Sequence, residues 1–352
     1  MNVTSFLSLF SVTSALMMFE FSQRAEATPM RGRIAVFQDT LAIPIEVDLP
    51  EFSGDVLKSD LVVFANLPKD LLPDKNGCLC FELTDERFAF VHTYYHASKQ
   101  LEFYNKVFSQ LGLPRLPQIE IKLEPDPSMP TSGSAGISKA TLTYSSPALD
   151  ISSLAHEIGH FIHFNAAGRE HFGNVPPFSM EGVQHLGVKE GSANMLAALY
   201  LGVSQIGKYD GYDFYYDIDS FIQFPDYLIS KRDQLVRVLS SPKFSAKYPI
   251  FASSVQTAIT QIDANPTASI YYSYPDPYLS SAVINQPLWR ASIVFGADAI
   301  RLLYVKAISE LKEFRSYSDL ANALLVAAKS RDIKLYLVLK DEYILRGLTI
   351  SN

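Results

Sequence analysis

Two histidines and a glutamate stand at a spacing suited to metal chemistry. His156, Glu157 and His160 form the pattern H-E-x-x-H inside an apolar segment. On a helix, positions i and i+4 share a face, so both imidazoles can reach one ion. The pattern is a signature of zinc-dependent hydrolysis, in which the glutamate takes a proton from water activated by the metal. The sequence therefore predicts a zinc site with Glu157 as general base.

The residues around the motif favour a metal site over a chance match. Asp150 can cap a helix whose apolar positions are Ile151, Leu154, Ala155, Ile158 and Ile162. The alternative is a core helix with two unligated histidines. That alternative would bury a carboxylate and two imidazoles without partners, which is costly. We therefore expect a metal on the helix predicted at 150–166.

A catalytic zinc needs a third protein ligand and one open position. His163 lies one turn beyond the motif, too far from a metal held at 156 and 160, so we expect it to pack. His163 and Ala166 also replace the Gly and His of the long metzincin motif, which excludes that class. The connection that follows contains other candidates: His171, Glu181 and His185. Glu190 is the best candidate, because it opens a second apolar helix that can return antiparallel and present a carboxylate.

The zinc helix and Glu190 together resemble the gluzincin zinc peptidases, the thermolysin-like and fungalysin-like enzymes. In that family two histidines and a downstream glutamate bind zinc. A carboxylate four residues after that glutamate orients a histidine ligand by a hydrogen bond. Asn194 stands at this position here, and its amide oxygen can accept the same hydrogen bond without carrying a charge. The resemblance thus implies His156, His160 and Glu190 as zinc ligands, with Asn194 behind a histidine.

Two further segments extend the resemblance. Residues 276–289 resemble the family segment that carries a histidine stabilising the transition state, and Tyr278 takes that place. A phenol can donate to an oxyanion as an imidazole does. Ser134, Ala135 and Gly136 resemble the edge strand along which the family aligns an extended substrate. The resemblance therefore implies hydrolysis of a peptide or protein substrate, with Glu157 as general base and then general acid.

A second interpretation is a zinc-binding pseudopeptidase that acts as a binding or structural module. It is motivated by the departures from the family pattern, which are Asn194, Tyr278 and the little room left for the family's long prosegment. His92 and His96 form another i, i+4 pair, on a segment resembling the Tyr-Tyr-His helix of fungalysin-like proteins. No glutamate follows the first histidine, and we interpret this pair as structural.

Composition limits the class of protein and its partners. The chain has 352 residues, 48% of them hydrophobic, with two cysteines and a net charge of −7. These values exclude disorder and a disulfide scaffold, and they give no reason to expect a nucleic-acid partner. The apolar run 6–19 followed by Ala25-Glu26-Ala27 predicts a cleavable signal at 1–27, hence a secreted or periplasmic protein. The run is short for a membrane span, so we expect no stable insertion after cleavage.

The order of predicted elements indicates an α+β fold. Strand-like runs lie at 33–37, 43–47, 61–64, 119–123 and 141–144, whereas helical periods lie at 87–108, 150–166, 189–202, 282–310 and 318–329. With the resemblance, this order predicts a zincin-like arrangement: a signal at 1–27, a β-rich region at 28–89, an N-terminal catalytic lobe at 90–166 and a helical C-terminal lobe at 167–352. The active-site helix would lie between the two lobes.

Two features have weaker interpretations. Cys78 and Cys80 alternate with apolar residues as in a strand, so we interpret them as small strand residues rather than metal ligands. A strained disulfide between them remains open if the protein is exported. The segment 203–230 is rich in Tyr, Phe and Asp, which favours packed loops and only weakly indicates a calcium site.

Overall fold

The computed structural model describes residues 30–38, 41–50, 57–128, 132–168, 180–207, 216–219, 235–236, 239–240, 242–247, 249–264, 281–311 and 316–351. Helices and mixed sheets both occur in these ranges, so the predicted α+β class is confirmed. The predicted signal at 1–27 and Tyr278 lie outside the described residues. None of the helices in the described ranges combines the length and apolar character that crossing a bilayer requires.

The strands of the described residues form three sheets. They are β1 (Arg31–Gln38), β2 (Leu41–Asp48), β3 (Val62–Phe64), β4 (Cys78–Leu79), β5 (Ile119–Pro125), β6 (Ser132–Ala135), β7 (Lys139–Tyr144), β8 (Gln205–Ile206) and β9 (Tyr216–Asp217). Their orders are β2-β1-β4, β3-β5-β7-β6 and β8-β9. In the second sheet β3, β5 and β7 run parallel, while β6 pairs antiparallel with β7. β6 is therefore an edge strand of that sheet.

The helices carry most of the buried core, and two of them pack against the second sheet. They are α1 (Glu86–Gln110), α2 (Ile151–Ala167), α3 (Met180–Leu201), α4 (Pro242–Lys247), α5 (Pro249–Ala264), α6 (Ala282–Phe295), α7 (Ala297–Glu310), α8 (Tyr317–Lys329) and α9 (Ile333–Leu345). α2 packs against α1, α3 and strands β6 and β7. α3 in turn packs against α6, α7 and α8, and α7 also contacts α2 directly.

Helix α2 is buried along most of its length because apolar residues occupy several of its faces. Ile158, Phe161 and Ile162 are fully buried. The Asp150 side chain accepts from the backbone N–H of Ser152, which caps the first turn. Gly168 ends the helix in the left-handed conformation, at φ 71°. This cap, core face and stop agree with the helix that the sequence predicted at 150–166.

Two helix predictions need correction, and three helices were missed. The second apolar helix begins at Met180 rather than at 189, because tertiary packing overrides the poor propensity of the two glycines in its first turns. The single helix predicted at 282–310 is two helices separated at Gly296, whose φ is 90°. α4, α5 and α9 were not predicted; in α9, apolar residues on most of its faces leave no helical period to detect.

Candidate metal centre

Helices α2 and α3 run antiparallel, in register at the zinc motif. His160 lies opposite Glu190, and one turn earlier His156 lies opposite Asn194. Between these pairs the backbones approach closely: a Cβ built on Gly159 would lie 2.6 Å from the carbonyl oxygen of Ala193. Any larger residue at 159 would force the helices apart. Gly159 therefore permits the short distance over which Glu190 reaches the histidines.

Three ligand atoms converge between the two helices. His156 Nε2 and His160 Nε2 are 3.0 Å apart, and Glu190 Oε2 lies 3.1 Å from the second and 3.3 Å from the first. Tetrahedral zinc with bonds of about 2.0–2.1 Å separates its ligand atoms by about 3.3 Å. The three spacings therefore match three corners of such a site. Two imidazole nitrogens and one carboxylate oxygen are also a donor set that suits zinc.

Hydrogen bonding prepares His156 as a ligand. Its Nδ1 lies 2.7 Å from Oδ1 of Asn194 and donates to that oxygen. In the neutral ring this leaves the lone pair on Nε2, the atom that faces His160 and Glu190. Asn194 itself is fully buried. The asparagine thus selects the tautomer that can bind a metal.

The charges of the cluster agree with a cation site. Burial raises the pKa of Glu190, but the nearby His160 and His156 outweigh that effect and hold its pKa well below the usual range. Burial lowers the pKa of His156, but Glu190, Glu157 and Asn194 favour its charged form and raise the pKa overall. Glu190 therefore stays ionised at neutral pH, which is the form that binds a cation.

Glu157 lies beside the cluster and is not one of the converging ligands. Its side chain is buried, and its Oε2 has no hydrogen-bond partner among the described residues. Burial, with some contribution from Glu190, raises its pKa despite the opposing effect of the two histidines. A methyl group on Gly133 of β6 would lie 2.8 Å from Cγ of Glu157. The carboxylate therefore sits between the histidines and the edge strand, and its unpaired burial is costly unless it has a use.

The centre is nearly buried yet reachable. The side chains of His156, His160 and Glu190 are 10%, 9% and 13% exposed to solvent. In the described part of the chain one other group, Glu46 with Cys78 and Cys80, brings three ligand-type side chains together. The two cysteines of that group form a disulfide with each other, the bridge that the sequence left open. We therefore base the metal centre on the α2–α3 cluster alone.

The other residues considered from the sequence occupy different places. His163 is buried on α2, where burial together with His160, Lys189 and His185 lowers its pKa to about 3. Neither His163 nor His185 belongs to the converging cluster. Ser134, Ala135 and Gly136 line an open pocket of about 370 Å³ at the edge formed by β6 and β7. His171 and the side chain of Glu181 lie outside the described residues.

The second histidine pair supports the fold rather than the metal centre. Nδ1 of His92 accepts from the backbone N–H of Ala35 at 3.2 Å, and its Nε2 donates to the carbonyl of Leu149 at 3.0 Å. His96 donates to the carbonyl of Ala35. The two imidazoles thus bond the backbone of β1 at Ala35, beyond the two residues over which β1 pairs with β4. His92 also ties β1 to the residue that precedes the cap of α2.

The sequence analysis did not identify the glycines that let α2 approach α3 and β6. Gly133 and Gly159 carry no chemistry of their own, and only the neighbouring elements show why a side chain would not fit there. Comparison of the chain with protein-family models and with curated protein sequences finds no match. The assignment of the centre therefore depends on its geometry.

Proposed function

We propose that this protein is a zinc-dependent peptidase of the gluzincin type. The observation that carries the proposal is the convergence of His156 Nε2, His160 Nε2 and Glu190 Oε2 at tetrahedral spacing. Glu157, buried beside them with an unpaired oxygen, supplies the second element that hydrolysis needs. In this proposal the three converging residues hold the zinc and Asn194 orients His156.

The chain's own residues would divide the remaining work. Bound zinc would polarise the scissile carbonyl and lower the pKa of water toward about 7. Oε2 of Glu157 takes a proton from the attacking water and later gives it to the leaving amine nitrogen. Burial favours this role, because a carboxylate with a raised pKa is a stronger proton acceptor. Tyr278 would donate to the oxyanion, a contribution of about 3 kcal/mol for one donor.

The substrate proposed is an extended peptide or an unfolded protein segment. β6 is an edge strand with exposed residues, and its Gly133 touches the proposed general base. A peptide lying along Ser134, Ala135 and Gly136 would therefore pass close to Glu157. The net charge of −7 gives no support to a nucleic-acid substrate.

The proposal includes a zincin-like arrangement and export. The β-rich region 28–89 and the lobe 90–166 would stand on one side of α2 and the helical lobe 167–352 on the other. The segment 1–27 would direct the protein out of the cytoplasm and be removed. Sequencing of the mature N-terminus would test this part independently of the chemistry.

The function is tested with Glu157→Gln, an isosteric change that removes the proton acceptor and keeps all three ligands. We expect about one equivalent of zinc in both proteins, and casein hydrolysis slower in the variant by about 10²- to 10⁴-fold. His160→Ala is the matched control, and it should lose both zinc and activity. A Gln variant as active as the wild type would exclude Glu157 as the base.

A pseudopeptidase is the second candidate, and the uncharged Asn194 favours it. An amide behind His156 makes that ligand less basic than a carboxylate would. A wild-type protein that binds zinc but leaves casein and a panel of peptides intact would support this candidate. Of the segment 203–230, where the sequence weakly indicates calcium, the structure describes residues 203–207 and 216–219.

A further inference from the structure

The residues that follow Glu190 on α3 are held from the opposite side by α6 and α7. The carbonyl of Gly191 accepts from Nδ2 of Asn285 at 2.8 Å. Oγ of Ser192 accepts from the hydroxyl of Tyr304 at 2.9 Å. Asn285, Ser192 and Tyr304 are all buried. These two hydrogen bonds therefore lie in the core directly behind the proposed carboxylate ligand.

The backbone of α3 at Gly191 also lies directly against side chains at the start of α6. A Cβ built on Gly191 would lie 2.5 Å from Cβ of Ser281 and 3.1 Å from Nδ2 of Asn285. On its other face α3 meets α2 at Gly159 and Ala193, again at a glycine. α3 is thus held between a close backbone contact with α2 and a close contact of Gly191 with side chains at the start of α6, and these set its distance from the histidine helix.

The hydrogen bond from Asn285 adds a constraint that these contacts lack. An interior helical carbonyl such as that of Gly191 already accepts from the N–H four residues later. The bond from Asn285 is therefore an extra one, directed from one side of the helix. A leucine would fill the same space without burying an amide. Together with the hydrogen bond between Tyr304 and Ser192, this amide holds one side of α3 and so opposes rotation of the helix about its axis.

Rotation matters because the carboxylate of Glu190 lies at the periphery of the helix. A side-chain atom about 6 Å from a helix axis moves about 1 Å when the helix rotates by about 10°. Metal–ligand distances tolerate only about 0.2 Å. A small rotation of α3 would therefore take Oε2 of Glu190 out of ligand range while α2 keeps its histidines in place.

We infer that Asn285 is a positioning residue for the metal centre, acting through Gly191 to hold Glu190 against His156 and His160. The inference rests on the proposed function, because it assumes that the centre binds zinc. It concerns the third ligand and assigns Asn285 no contact with substrate.

The test compares Asn285→Leu with Gln286→Leu. Gln286 is the next residue on α6 and is also fully buried, but its amide bonds to Arg346 and to the carbonyl of Asp219. Zinc affinity is measured by competition with a chromophoric chelator, and ligand geometry by the visible absorption of the cobalt-loaded protein. We expect Asn285→Leu to weaken zinc binding by about tenfold and to alter the cobalt spectrum. Gln286→Leu should lower the melting temperature and leave both metal readouts unchanged.

A third variant separates the effect of losing the hydrogen bond from the effect of changing the side-chain volume at position 285. Asn285→Asp keeps the shape but faces the Gly191 carbonyl without a donor, so it should weaken zinc binding at least as much as Asn285→Leu. If Gln286→Leu does not fold, Leu288→Ala, another buried change on α6, takes its place as the control.

The outcomes distinguish this inference from the proposed function. Unchanged zinc affinity and an unchanged cobalt spectrum in Asn285→Leu would overturn the inference. So would an equal loss in the control, because that would indicate general destabilisation. A wild-type protein that binds zinc without hydrolysing peptides would overturn the proposed peptidase function. The role of Asn285 would then still be decided by the zinc affinities and cobalt spectra of these variants. A wild type that binds no zinc would overturn both.

Discussion

Nδ1 of His156 on α2 lies 2.7 Å from Oδ1 of Asn194 on α3, with both residues buried. The bond joins the two helices and directs Nε2 of the same ring toward His160 and Glu190. It also leaves Nδ2 of Asn194 buried with no hydrogen-bond partner among the described residues. The position behind His156 is therefore filled by a group that orients the ring but adds no charge and leaves one donor unused.

Asn194→Asp should strengthen metal binding. The carboxylate would keep the bond to His156, make that ring more basic and remove the unpaired Nδ2. We expect zinc affinity to rise by about tenfold, and to fall by about 10- to 100-fold in Asn194→Ala. Competition with a chromophoric chelator measures both. Weaker binding in the Asp variant would mean that the cost of burying the new charge exceeds its benefit to the ligand.

Gly159→Ala should damage the metal centre without touching a ligand. The added methyl group would lie 2.6 Å from a backbone oxygen of α3, so the helices must separate. Overpacking of this kind typically costs about 1–3 kcal/mol. We expect lower stability in denaturant and weaker zinc binding together. Ile162→Val, a cavity-forming change on the same helix, is the control: it should reduce stability by about 1 kcal/mol and leave zinc affinity unchanged.

Gly133→Ala should separate catalysis from metal binding. The new methyl group would meet Cγ of Glu157 at 2.8 Å and a backbone oxygen of Thr141 at the same distance. Because the three proposed ligands lie on α2 and α3, zinc affinity should stay within about twofold. Turnover of a peptide substrate should fall by about 10²-fold, since general bases act only within hydrogen-bond reach. A parallel loss of zinc would show that the change disturbs α2 as a whole.

His96 should make the fold sensitive to acid. Burial lowers its pKa to about 4, below the ordinary 6.5. The unfolded chain therefore binds the proton more readily than the folded one, and stability falls as pH drops from about 6.5 to about 4. The loss amounts to at most about 3 kcal/mol. In His96→Gln the side chain can still donate to Ala35 but does not titrate. Between about pH 7 and pH 4 the free energy of unfolding of this variant should therefore fall by about 3 kcal/mol less than that of the wild type. Urea unfolding at both pH values measures the difference, and equal losses would contradict the assignment.

Zinc removal should lower the melting temperature, because an ion that binds the folded state alone stabilises it. At a free concentration of about 1,000 times Kd the stabilisation is about 4 kcal/mol. Calorimetry with and without a chelator should show the shift in the wild type. The His160→Ala protein should melt at the same temperature under both conditions. A chelator effect that persists in this variant would place the metal elsewhere in the chain.

Much of the α2 region was predictable because its signals are local. The apolar positions, the Asp150 cap and the Gly168 stop are read within one segment, and the H-E-x-x-H spacing places both histidines on one face. The extent of α3 was not predictable in this way. Its first turns contain glycines that disfavour a helix, and they are helical because α3 packs against α2 and α8.

The sequence by itself determined which side chains could take part in metal chemistry: two imidazoles and a carboxylate at helical spacing, with Glu190 and Asn194 as candidates on a second helix. Tertiary structure decided whether those groups meet. Glu190 reaches the histidines because α2 and α3 touch at Gly159, and Gly133 lets strand β6 lie directly against the side chain of Glu157. Such contacts join residues far apart in the chain, and a glycine at a contact produces no periodic pattern in the sequence that would reveal it. Distance between ligands is therefore a property of packing, whereas the identity of the ligands is a property of the sequence.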